Sequence, residues 1–169
     1  MKSKEKMIEE LIKLAAQIGE LLQDAGGTVT TAESCTGGGI SYFLTEVAGS
    51  SAWFDRAFVT YSDDSKQTLV GVQQATLDAH GAVSEEVVAE MANGALAVAN
   101  ADYSLAVSGL AGPTGKNDEK PIGIVCFGWA TKVEVVTETC LFNGDRHIIR
   151  LNTIIHSLCH LQSYLTSQK

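Results

Sequence analysis

Apolar side chains at Met7, Ile8, Leu11, Ile12, Leu14, Ala15, Ile18, Leu21 and Leu22 recur at helical spacing, with lysines and glutamates opposite. This pattern predicts an amphipathic helix that ends at Gly26-Gly27. Residues 28–32 are short and β-branched and predict a strand, which runs directly into Ser34-Cys35-Thr36-Gly37-Gly38-Gly39. An apolar segment over 40–47 reads as helix, 57–61 as a second strand and 63–70 as a short helix. Ser84 is a candidate N-cap for a helix through Ala99, with Glu85 and Glu86 at its positive end. Residues 103–108 predict a strand, 109–121 a Gly-rich loop with both prolines, and 122–130 with 133–142 a hairpin turning at Thr131-Lys132. Asp145 then caps a long terminal helix carrying Ile148, Ile149, Leu151, Ile154, Ile155, Leu158 and Leu161.

Strands alternate with helices for two thirds of the chain, and antiparallel strands close it. The expected fold is therefore α/β, a three-layer α/β/α sandwich with a mixed sheet. At 169 residues, with no linker, repeat or low-complexity tract, a single domain over 1–169 is expected.

Composition removes several functions. With 12 basic against 20 acidic residues, and Arg only at 56, 146 and 150, a nucleic-acid coat is unfavourable, because such binding relies on Lys and Arg at phosphates. No run approaches the roughly 20 apolar residues of a membrane span, and the charged N-terminus lacks a signal-peptide core. Cys35, Cys126, Cys140 and Cys159 are scattered, as expected of reduced thiols in a cytoplasmic protein.

Three segments carry candidate chemistry, all at predicted strand ends, where open α/β sheets place their sites. Ser34 at a strand-to-helix turn can present its hydroxyl to a cleft, beside N–H groups suited to an oxyanion. The same residues also serve as a glycine turn with a helix cap. In Tyr61-Ser62-Asp63-Asp64-Ser65-Lys66, a desolvated Lys66 would be a base for a serine, while a solvated lysine on a capped helix is the plainer reading. Gly109-Leu110-Ala111-Gly112-Pro113-Thr114-Gly115-Lys116 is not a P-loop: the glycine spacing is wrong, Asn117 replaces the Ser/Thr, and no helix follows. It remains open as a phosphate cradle or a simple loop. His156, Cys159 and His160 lack a further ligand and read as an ordinary helix face, and Cys35 as a packing residue, so no metal site is expected.

Taken together these segments resemble the CinA C-terminal domain family, which also occurs as stand-alone nicotinamide-nucleotide amidases. The resemblance rests on Thr31-Ala32-Glu33-Ser34-Cys35-Thr36-Gly37-Gly38, on residues 48–54, on Tyr61-Ser62 with Lys66, on His80-Gly81-Ala82-Val83-Ser84, on 109–115 and on Lys120-Pro121-Ile122-Gly123. It implies an amidohydrolase, without cofactor or metal, that converts nicotinamide mononucleotide to nicotinate mononucleotide and ammonia in pyridine-nucleotide salvage. By motif, Ser34 would be the nucleophile, with Tyr61 and Lys66 as the base system. Cys35, Thr36, Gly37, Gly38, Ser108, Gly112, Thr114, Gly115 and Arg146 would bind substrate, Arg146 at the phosphate. The partner is then a small-molecule nucleotide, not nucleic acid or membrane, and a homo-oligomer is expected. The alternative is a weak or inactive paralogue serving as a nucleotide-binding or regulatory module. Two departures bear on this choice: Asp63 and Asp64 stand where the family has Asn-Glu, adding charge that raises the pKa of Lys66, and Lys116 replaces a loop glycine.

Overall fold

The computed structural model describes residues 3–115 and 120–168. Its elements run α1 (Lys4–Ala25), β1 (Val29–Glu33), α2 (Gly39–Thr45), a 3-10 turn (Ser50–Ala52), β2 (Phe58–Val59), α3 (Asp63–Val70), α4 (Gln74–His80), α5 (Glu85–Ala99), β3 (Tyr103–Gly109), β4 (Ile124–Thr131), β5 (Val135–Leu141) and α6 (Arg146–Ser167). The five strands form one mixed sheet in the order β2-β1-β3-β4-β5. β1 is parallel to β2 and β3, and β3, β4 and β5 are successively antiparallel. No helix among the described residues is long and apolar enough to cross a membrane.

Helices cover both faces, as the alternating pattern predicts. On one face Leu11, Ile18 and Leu22 of α1 and Ile149, Leu158 and Leu161 of α6 pack on Val29, Leu105, Val107 and Phe127. On the other, Val87, Val88 and Met91 of α5 meet Ala32, Ala106, Cys126 and Ala130. Leu105 and Val107 thus face one layer and Ala106 the other, the two-residue period of a strand buried on both sides. Small residues on the second face bring α5 close to the sheet.

Cap chemistry sets the helix ends. Ser84 accepts the Val87 N–H, Asp145 accepts the Ile148 N–H, and Gly26 ends α1 at φ 62°. Ser62 and Ser65 cap α3 reciprocally, with Asp63 and Asp64 in its first turn. The pattern did not predict α4: its single buried anchor is Leu77, and Gln73 gives it no side-chain cap. The second strand shrinks from 57–61 to two residues at the sheet edge. The hairpin closes from the Thr131 N–H to the Glu134 carbonyl, so its turn is Lys132-Val133 rather than Thr131-Lys132.

One close approach fixes α3, the element that bears Lys66. A Cβ at Gly94 of α5 would lie 1.7 Å from the Val70 carbonyl oxygen at the end of α3. Backbone cannot yield as a side-chain tip can, so only glycine permits this contact. Gly94→Ala is expected to destabilise the fold by about 2 kcal/mol or more, read as a lowered midpoint in urea unfolding.

Candidate active site

The parallel registers bring three strand ends to one level. Glu33 at the end of β1 pairs with Val59 of β2 and with Val107 of β3. The pairing continues one residue further, from the Ser34 N–H to the Val107 carbonyl (3.0 Å) and from the Thr60 N–H to the Glu33 carbonyl (2.9 Å). Ser34 and Thr60 therefore lie level with Ser108, which is still within β3. A cleft of about 210 Å³ opens there, lined by residues that include Ser34, Tyr61, Asp63, Lys66, Ser108 and Arg146.

Lys66 is the unusual group. Its side chain turns inward from the first turns of α3 until the residue is only 1% exposed. Nζ donates to the Thr60 carbonyl at 3.1 Å and stands 3.4 Å from Ser34 Oγ. Burial pushes the amine below the ordinary lysine range, while the Asp63 carboxylate, 3.7 Å away, pulls it back up. Asp63 is largely solvated, which screens its pull. A partly desolvated amine beside a serine hydroxyl is equipped to take its proton, and a long contact is common where no substrate is bound.

The turn after Ser34 is held from two sides. Glu33 is fully buried and accepts from the Thr31 and Thr36 hydroxyls (3.1 and 2.7 Å) and from the Ile40 and Ser41 N–H groups (2.9 and 2.8 Å). Arg150 donates to the Cys35 and Thr36 carbonyls at 3.1 and 2.8 Å. The start of α2 is consequently filled by the chain's own carboxylate. The N–H groups of Cys35, Thr36 and Gly38 take no part in backbone pairing among the described residues, and of these three residues Cys35 lines the cleft. Burial drives the Cys35 thiol up to about 12, so it stays protonated and is no nucleophile at neutral pH.

The profile of the CinA C-terminal domain matches residues 11–165. The chain belongs to the CinA C-terminal domain family. It is similar to the nicotinamide-nucleotide amidohydrolase PncC of Escherichia coli (strain K12), 51% identical over 150 residues, covering 88% of this chain and 91% of that protein. The protein of the same name from Pseudomonas putida is 44% identical over 151 residues, 89% of this chain and 94% of that one. Among solved structures, the competence damage-inducible protein A (ComA) of Klebsiella pneumoniae subsp. pneumoniae MGH 78578 superposes with a TM-score of 0.91 at 38% identity, covering 94% and 99% of the two chains. Competence/damage inducible protein CihA of Agrobacterium tumefaciens gives 0.89 at 41% identity, over 93% and 96%.

Within this CinA-type domain, Ser34, Cys35, Tyr61, Lys66, Ser108 and Arg146 line the cleft. Ser108 donates to the Ala82 carbonyl, drawing the 80–84 segment over the site. Arg146 donates to the Gly112 carbonyl (2.8 Å) and the Tyr61 hydroxyl (3.1 Å). Tyr61 is 60% exposed and meets Arg146, whereas Lys66 meets Ser34. Thr36, Gly37, Gly38, Gly112, Thr114 and Gly115 are not among the lining residues. Lys116 lies outside the described residues. Sequence reasoning gave no role to Glu33 or Arg150; Glu33 sits inside the quoted motif, and Arg150 follows Arg146 by one helical turn, the spacing that puts both on one face.

Glu33→Gln replaces one acceptor oxygen by a donor amide among five donors, the Ser41 hydroxyl being the fifth. It is expected to cost about 2–4 kcal/mol, measured by denaturant unfolding, with the loss read at pH 7.

Proposed function

We propose that this chain hydrolyses the carboxamide of nicotinamide mononucleotide, giving nicotinate mononucleotide and ammonia, with Ser34 as nucleophile and Lys66 as its base. The observation that carries this reading is the buried Lys66 amine 3.4 Å from Ser34 Oγ on the cleft wall. The relatives named for nicotinamide-nucleotide amidohydrolysis supply the substrate class.

In this mechanism the neutral Lys66 amine removes the Ser34 proton as Oγ attacks the carboxamide carbon. The resulting oxyanion is met by N–H groups of the Cys35–Gly38 turn. The ammonium of Lys66 returns its proton to the departing nitrogen, which leaves as ammonia and gives an ester on Ser34. Water then attacks the ester as Lys66 again accepts a proton, that proton passes to the departing Ser34 Oγ, and the released acid ionises to the carboxylate by losing its proton to solvent. The substrate's pyridinium ring is itself cationic, so its presence further favours the uncharged amine. Arg146, placed at the cleft rim by Tyr61 and the Gly112 carbonyl, is the partner for the nucleotide phosphate.

Pure protein incubated with nicotinamide mononucleotide is expected to release ammonia. Ser34→Ala is expected to lower kcat by on the order of 10³-fold or more while the nucleotide still binds. Thermal stabilisation by the nucleotide without any ammonia from the unaltered protein would instead make this a binding module.

Because burial lowers the Lys66 pKa, the rate should rise with pH along a limb below the ordinary lysine value. Asp63→Asn removes a charge that favours the ammonium, so that limb should move to lower pH. For stability the sign is opposite to that of a gained ion pair. Between the folded and unfolded pKa the unfolded chain binds more protons, so folding strengthens as pH rises through that window. Lys66→Met should therefore abolish turnover and its limb while leaving the melting temperature at neutral pH unchanged or higher. A lower melting temperature with activity retained would contradict both statements.

Arg146→Ala should raise KM roughly 10–100-fold, the worth of a charge-assisted phosphate contact, with a smaller effect on kcat. Steady-state kinetics separate the two.

A further inference from the structure

Reactive side chains also gather where β5 meets α6, and none of them lines the cleft. Glu138 and Cys140 are alternate residues of β5, so they project from one face of the strand, the face packed against α6. His156 of α6 meets them there. Its Nε2 lies 2.8 Å from one Glu138 oxygen and 3.6 Å from Cys140 Sγ, and Sγ lies 3.6 Å from the other Glu138 oxygen. Among the described residues this is the one trio of such groups with all ligand atoms within 4.8 Å of one another.

The geometry separates two kinds of chemistry. In a thiol–imidazole–carboxylate relay the thiol uses one ring nitrogen and the carboxylate the other. Here both approach the same Nε2, so the relay cannot operate. Three unlike donors converging on one point is instead what a tetrahedral metal requires. With zinc–sulfur near 2.3 Å and zinc–nitrogen or –oxygen near 2.0–2.1 Å, neighbouring ligand atoms stand roughly 3.4–3.6 Å apart. Both distances to Sγ fall at that spacing already. The shorter nitrogen–oxygen contact is a hydrogen bond, which needs to open by only about 0.6 Å to admit the metal. The imidazole is held in place by Phe127, Trp129 and Phe142, with ring centroids 4.7, 6.0 and 6.1 Å away. A thiolate, an imidazole and a carboxylate suit a borderline-soft ion and disfavour magnesium or calcium, which select all-oxygen sites.

We propose that Glu138, Cys140 and His156 bind a zinc-like divalent cation, with a fourth position open to water, and that the ion ties the exposed edge strand β5 to α6. The ion displaces the thiol proton to solvent, and the sulfur, nitrogen and oxygen each donate one electron pair. His160, one turn on, is engaged elsewhere, stacked on Trp129 at 3.8 Å. The site differs in this way from the His156–Cys159–His160 grouping that the helix spacing suggests.

The test uses the whole chain, stripped with a chelator and titrated with Co²⁺. One ion per chain is expected to bind with a thiolate-to-cobalt charge-transfer band, which Zn²⁺ abolishes by displacement. Cys140→Ser should remove the band, His156→Ala should weaken binding about tenfold or more, and Cys159→Ser should leave both unchanged. In the unaltered protein, Zn²⁺ should also slow alkylation of Cys140, read by mass spectrometry, without slowing that of Cys159. Absence of the band, its persistence in Cys140→Ser, or Cys140 alkylation indifferent to Zn²⁺ would overturn the proposal.

Discussion

The register of β1 between its two parallel neighbours governs the site. Because Glu33 is level with both Val59 and Val107, Ser34, Thr60 and Ser108 stand at one height on adjacent chain segments. A slip of one residue in either pairing would turn Ala32 and Ala106 away from α5 and set larger side chains beneath it. Packing of the helix on the sheet and assembly of the cleft are thus consequences of the same alignment.

The second constraint is electrostatic. A lysine amine loses hydration when buried, and at Lys66 the described partners restore little of it: one carbonyl, one long serine contact and a solvated aspartate. Such an arrangement weakens the charged form, a cost that a purely structural lysine would avoid by reaching solvent. Glu33 presents the contrasting case. It is equally buried, but five donors surround it, the Thr31, Thr36 and Ser41 hydroxyls and the Ile40 and Ser41 N–H groups, so it is a satisfied group that shapes the turn. One buried group is left under-solvated beside Ser34, and the other is fully coordinated and holds the turn after Ser34 in place.

Membership of the CinA C-terminal domain family accounts for the common framework, while the details of this chain adjust it. Asp63 and Asp64 stabilise the start of α3 through its dipole and, through Asp63, favour the ammonium of Lys66. Asp63 therefore both strengthens the helix that carries Lys66 and opposes the neutral form of its amine. Midway along α6 the cluster on β5 uses residues that the cleft does not, so the helix serves two separate groups of side chains.

Much of this protein was determined locally by its sequence. The bounds of α3 and α5, the cap at Asp145, and the β-branched core of β1 follow from spacing and from side chains that bond to nearby backbone. Ser34, Tyr61 and Lys66 were legible as candidates because each belongs to a recognisable motif that follows a strand. Tertiary structure decided the rest. Whether Lys66 is solvated or buried depends on how closely α3 approaches α5, and that rests on a glycine 28 positions away at Gly94. Helix α4, with one buried anchor and no side-chain cap, forms because α5 covers it and not through a local signal. The roles of Glu33 and Arg150, and the meeting of Glu138 and Cys140 with His156, required elements distant in sequence to pack first. Hydrogen bonds and desolvation act over a few ångströms of space, and a linear pattern records spacing along the chain but not those distances across it.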